Sequence, residues 1–220
     1  MQATRAGSQT RAELVEQLLS ELVPVRGRGR TLGTTCGWLL VSWTLATSVV
    51  LATGPLRPGA LEALSDSPRF LLETLLGIGA ATALGVAALR LGVPAAGARR
   101  RVAAPAVLVL VVWVAAHAIA LWSPALEPSM AGKRDGCSIE VLLLGAPALA
   151  LGLLAARGLA PLDRALTGAL IGAAAAAAPA LLMQFACMYL PAHALSHHLA
   201  PMLIPIALGA ALGPTVLRRI

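Results

Sequence analysis

Residues 99–122, RRRVAAPAVLVLVVWVAAHAIALW, decide the fold. Three arginines open the stretch, and no Asp, Glu, Lys or Arg follows before Trp122. A helix needs about 20 apolar residues to cross the hydrocarbon core of a bilayer, so 103–122 reads as a membrane span. The arginines mark the end of that span that stays in the cytoplasm.

Five further blocks of this kind flank it, at about 34–53, 70–89, 139–156, 165–186 and 197–217. With six spans drawn, thirteen of the seventeen Lys and Arg residues fall on one side. These are Arg5, Arg11, Arg26, Arg28 and Arg30; Arg90 and Arg99 to Arg101; Arg157 and Arg164; and Arg218 and Arg219. The opposite side has Arg57, Arg69, Lys133 and Arg134. An odd number of spans would destroy this asymmetry. The positive-inside rule therefore predicts a multi-pass protein of a bacterial inner membrane with both termini cytoplasmic. The expected fold class is all-α: an integral membrane bundle of six transmembrane helices, preceded by a short N-terminal cytoplasmic amphipathic helix. Two regions follow, a tail at 1–33 and a six-helix domain at 34–220.

The chain is 58% hydrophobic and 12% charged, which excludes an ordinary soluble domain. Its net charge of +7 is spread along the edge of the membrane, so it reads as topology and contact with membrane lipids. Direct nucleic-acid binding would need the charge gathered on one soluble module, and none is expected.

The tail begins with a polar stretch at 1–10 that has no helical period and reads as disordered. Over 11–23 the pattern changes: Leu14, Val15, Leu18, Leu19, Leu22 and Val23 recur at helical spacing, with Glu13, Glu16 and Glu21 elsewhere on the turn. Pro24 ends this helix, and Arg26-Gly27-Arg28-Gly29-Arg30 forms a basic tether. A helix this short is marginal alone and needs a cover for its apolar face. The cover can be lipid, the bundle or a protein groove. An acidic face is repelled by anionic lipid, which favours a partner protein, with Leu14, Leu18, Leu19 and Leu22 as the contact residues.

The spans hold few charges. Glu73 and Glu140 lie near span ends, where a carboxylate can reach the headgroups, and Arg69 stands four residues before Glu73. Gly168, Gly172 and the run 173–178 suit close helix packing, while Pro147, Pro179 and Pro205 interrupt spans. A small transporter or channel is the rival reading, although the chain shows no matched inverted halves. No G-x-S-x-G, H-E-x-x-H or phosphate-binding glycine loop occurs, so neither an enzyme nor a cofactor is expected.

Cys36 falls at the cytoplasmic end of the first span and reads as a small packing residue. Cys137 and Cys187 share the opposite face, where thiols can oxidise, cross-link or capture soft metals, or simply pack. The loop containing Cys187 also has His193, His197 and His198. His193 and His197 are spaced one helical turn apart, which makes them candidate metal ligands. His117, within the third span, reads as a hydrogen-bonded bundle residue.

Several segments together carry a resemblance. They are LVEQLLSELVPVRGRGR at 14–30, DSPRFLLETLLGI at 66–78, APALALGLLAARGLAPLDRALTGALIG at 146–172 preceded by Cys137, and HALSHHLAPMLIPIALGAALGPTVLRR at 193–219 preceded by Cys187. In this order the chain resembles the NrsF-like family of six-span bacterial anti-sigma factors. The resemblance implies that the tail holds an extracytoplasmic-function (ECF) sigma factor at the membrane until an oxidative, metal or light signal arrives. Stress genes, carotenoid-synthesis genes among them, would then be the targets. It also implies that Cys137 and Cys187 match the family's paired sensing cysteines. Where the family commonly shows Trp-His near the last span, this chain has His197-His198. Oligomeric state is left open.

Overall fold

The computed structural model describes residues 10–21, 28–93 and 99–218, with the backbone alone at 28–30. The helices, in chain order, are α1 (Arg11–Ser20), α2 (Arg28–Thr53), α3 (Ala63–Asp66), α4 (Pro68–Leu91), α5 (Arg99–Ile119), α6 (Cys137–Arg157) and α7 (Arg164–Ala186). A short α8 (Pro191–His193) then widens into a π turn (Ala194–Leu199), tightens into a 3₁₀ turn (Ala200–Met202) and continues as α9 (Leu203–Val216). The fold is all-α. Six helical stretches are long and apolar enough to cross a membrane: Thr31–Thr53, Pro68–Leu91, Arg99–Ile119, Cys137–Arg157, Arg164–Ala186 and Pro191–Val216. Among the described residues the one β feature is a single bridge between Ser129 and Tyr189.

Local chemistry sets the span boundaries. Ser67 caps α4 by accepting the Phe70 N–H, and Pro68 occupies the first turn, where a missing N–H costs nothing. Asp163 caps α7 in the same way through the Leu166 N–H, and its carboxylate also pairs with Arg99. The apolar block expected at 103–122 is helical from Arg99, because the arginines wind into the first turn, and it ends at Ile119.

α7 forms the centre of the bundle and packs against α2, α4, α6 and α9. Its most apolar window is 83% buried, against 22% for α5 at the edge. Such burial on all sides requires small side chains, which the run 173–178 supplies. The closest approach is to α9, where Gly168 and Gly172 oppose Gly209 and Gly213. A Cβ at Gly168 would strike the Gly209 carbonyl, and one at Gly172 the Pro205 carbonyl.

The two ends of the bundle differ. At one end, Ala160 N–H donates to Gly92 O at 2.8 Å, Arg99 pairs with Asp163, and Gly213 lies against Arg164. At the other, the loops after α2, α5 and α7 meet around Cys137 and Cys187; this is called the cysteine end below. Glu73 departs from expectation. It is buried at 2% exposure on the inward stripe of α4 with Phe70, Thr74 and Gly77, so it does not reach outward to headgroups. Arg69 Nε lies 3.7 Å from its carboxylate. Cys36 also differs: it is exposed on the outer face of α2, while Thr35 and Trp38 face inward.

Candidate functional site

α1 begins with a complete capping box. Thr10 Oγ1 accepts the Glu13 N–H, and the Glu13 carboxylate accepts the Thr10 N–H at 2.8 Å. This gives a ten-residue helix, shorter than the 11–23 read from periodicity, and Pro24 lies outside the described residues. Nothing in α1 is buried. Leu14, Val15, Leu18 and Leu19 are 47–61% exposed, an apolar row without cover, and Leu22 lies outside the described residues.

At the cysteine end, the Cys137 and Cys187 sulfurs lie 2.7 Å apart, although the residues are 50 positions distant in the chain. Both thiols are buried and free. α6 starts at Cys137, and Cys187 closes α7, its N–H bonding to Met183 O. The hydrogen bond between the two sulfurs holds the Cys187 thiol below its usual pKa; burial opposes this shift and His198 adds to it. The loop between α5 and α6 covers the pair: Ser129 N–H donates to Tyr189 O, and the Tyr189 hydroxyl accepts the Ala125 N–H.

His193 and His198 complete a cluster with the two cysteines, with one ligand atom from each residue lying within 4.8 Å of the others. His193 Nε2 is 3.5 Å from Cys187 Sγ. His197 is not in the group. Its ring stacks on His193 at 4.3 Å between centroids, and its Nδ1 meets Ser196 Oγ. The π turn explains the exchange. Pro201 has no N–H to give to the His197 carbonyl, and its ring clashes there, so the helix widens and Ala200 N–H bonds Leu195 O. The released His197 carbonyl accepts Ser138 Oγ at 3.2 Å. The wider turn brings His198 round into the cluster, while His197 stays stacked on the His193 ring. Sequence reading at α-helical period missed His198, and the signal that could have revealed it was Pro201.

Two arginines fix this end of α7. Arg57 donates its backbone N–H to Phe185 O and Nε–H to Gln184 O, while Arg134 Nε donates to Ala186 O. The Arg57 guanidinium lies 5.2 Å from the Phe70 ring centroid and 5.5 Å from that of Tyr189, and burial lowers its pKa. Arg134 also bonds Val50 O, Thr53 Oγ1, Pro55 O and the Glu140 carboxylate, and its own carbonyl accepts the Cys137 S–H. It therefore joins the thiol pair to the end of α2. Deeper in the bundle, Gln184 Nε2 donates to His117 Nε2 at 2.6 Å and His117 Nδ1 meets Trp113 O, so His117 is a hydrogen-bonded bundle residue as expected.

An all-α bundle of this kind, with an uncovered amphipathic helix before its first span and a thiol cluster at one end, defines a membrane-protein architecture with two separate candidate sites. The family model described as negative regulator of sigma F matches residues 18–218, and the chain belongs to that family. Neither a curated protein nor a solved structure matches it. Membership makes the chain a negative regulator of a sigma factor.

Proposed function

We propose that the chain is an anti-sigma factor of the bacterial inner membrane, with both termini cytoplasmic, that sequesters an ECF-type sigma factor on α1. Release follows a signal at Cys137 and Cys187 on the other face. The observation that carries this reading is the exposed row Leu14, Val15, Leu18 and Leu19 on a capped helix that buries none of its residues in the bundle. An apolar row with an acidic opposite face suits a groove in a protein. The release step is a population shift between a retaining and a releasing bundle. Oxidation of the thiols or their capture of a soft metal moves Arg134, and Arg134 grips the end of α2, the span that leads back to the tail.

The test is co-purification of the sigma factor with the full chain, paired with transcript profiling in which stress genes, carotenoid-synthesis genes included, are the expected targets. Leu14→Ala with Leu18→Ala removes apolar carbons that the partner would cover. At about 0.8 kcal/mol per methylene and partial burial, the loss is about 3 kcal/mol, or roughly two decades of affinity. The double variant should insert at normal levels, lose the sigma factor and leave its targets on without inducer. Retention of the sigma factor by this variant would move the contact to the arginine-rich loops.

A further inference from the structure

We infer that Cys137, Cys187, His193 and His198 form a four-coordinate site for a thiophilic divalent cation of the zinc and cadmium class. The inference deepens the sensing role proposed for the two cysteines, adding two ligands and a coordination number. Three observations support it. The four ligand atoms lie within 4.8 Å of one another, and tetrahedral zinc with sulfur and imidazole bonds of about 2.0–2.3 Å needs ligand separations of roughly 3.3–3.8 Å. Closing the wider distances and opening the sulfurs by about 1 Å reaches that shape, a movement within reach of side chains on two helix ends and one widened turn.

The second observation is His198. It is 1% exposed, yet neither ring nitrogen makes a hydrogen bond of normal geometry. A buried imidazole whose nitrogens are left without partners is costly, and coordination removes that cost. It lies against the Cys187 sulfur and edge-on to His193, whose ring centroid is 5.1 Å away. The π turn held open by Pro201 is what turns it inward.

The third is charge. Two thiolates and two neutral imidazoles around a dication sum to zero, which suits a covered site at the membrane boundary. Binding releases the two thiol protons to solvent, so no oxidant or reductant is involved. Glu62, Asp66, Glu127, Asp135 and Glu140 stand at the cysteine end against Arg57, Arg69, Lys133 and Arg134, and a surface without net positive charge admits a cation. Cys187 also ends α7, where the helix dipole favours positive charge.

The experiment uses the full chain, reduced and in nanodiscs, with Cys36→Ser to remove the outlying thiol. Titration with Co²⁺ should give one ion per chain, a thiolate charge-transfer band and the intense d–d absorption of four-coordinate cobalt, and Zn²⁺ or Cd²⁺ should displace it. X-ray absorption should count two sulfur and two nitrogen ligands. His193→Ala and His198→Ala should each weaken binding at least about tenfold, since even an outer-shell partner is worth that much, and His197→Ala should not. Absence of the four-coordinate spectrum in the parent, or a ligand count without two nitrogens, overturns the site whether or not the variants fold. The sigma co-purification fails or succeeds independently of these spectra.

Discussion

Arg57 and Arg134 are two of the four cations on the cysteine side, and their reach explains why they stay there against the general bias. A helix leaves its last four carbonyls without partners, and at a membrane boundary this is costly. In α7 all four are satisfied: Met183 O by Cys187 N–H, Gln184 O and Phe185 O by Arg57, and Ala186 O by Arg134. The sequence shows these arginines as a minority charge and nothing more, because their acceptors lie 127 and 52 positions away. Arg134 spreads its guanidinium over acceptors in α2, α6 and α7, a fan that a single ammonium cannot reproduce. Arg134→Ala should therefore cost about 3 kcal/mol of stability, and Arg134→Lys should recover little of it. Thermal unfolding of the three proteins in nanodiscs measures this, and full recovery by lysine would reduce the role of Arg134 to charge alone.

At the scale of elements, hydrophobic period and span length were legible and the irregular turns were not. Five of the six spans stand within a few residues of their apolar blocks, since about twenty consecutive apolar residues have no other solvent, while the last begins at Pro191, six residues ahead of the block at 197–217. The tail helix was legible as well, from its leucine spacing, although its capping box fixes a start at Arg11 that periodicity alone leaves loose. The stretch from Pro191 to Met202 defeated the same reasoning. A period of 3.6 residues makes His193 and His197 the ligand pair, while the wide turn ahead of Pro201 brings His198 into the cluster and leaves His197 stacked on the His193 ring. The identity of the fourth ligand thus depends on a proline that touches no metal. Pro201→Ala restores the missing N–H and allows an ordinary helix through the segment, which rotates His198 out of the cluster. Co²⁺ affinity should then fall by about tenfold or more with every ligand still present in the chain, comparable to losing an outer-shell partner. Unchanged affinity in Pro201→Ala, measured by the same titration, would show that the turn is held open by something other than this proline.

For the molecule as a whole, the central position of α7 links the thiol cluster at one end to the arginine-rich end, and the packing that seats it is steric. Membrane helices gain little from burying apolar surface against one another, so close backbone approach must supply the association. The glycines of α7 and α9 provide that approach as reciprocal pairs four residues apart; Gly168 and Gly172 were legible in the sequence as packing positions, and Gly209 and Gly213 are the partners that the structure sets against them. Their facing register depends on the irregular turns that precede α9, which spacing along the chain does not encode. The consequence can be tested with one methyl group at two positions. At Gly79 a Cβ meets nothing closer than Val109 Cγ1 at 3.6 Å, an ordinary contact, so Gly79→Ala should be neutral or slightly stabilising. At Gly172 the added carbon strikes the Pro205 carbonyl, and neither helix backbone can yield as a side chain would. Overpacking of side chains costs about 1–3 kcal/mol, and backbone against backbone should exceed that range. Gly172→Ala should accordingly lose most of its folded yield or unfold far below the parent in nanodiscs, with the sigma factor released as a result. Parent-like thermal stability of Gly172→Ala would mean that α7 and α9 are not seated on each other in this register, and the joint placement of Cys187 and His198 would fall with it.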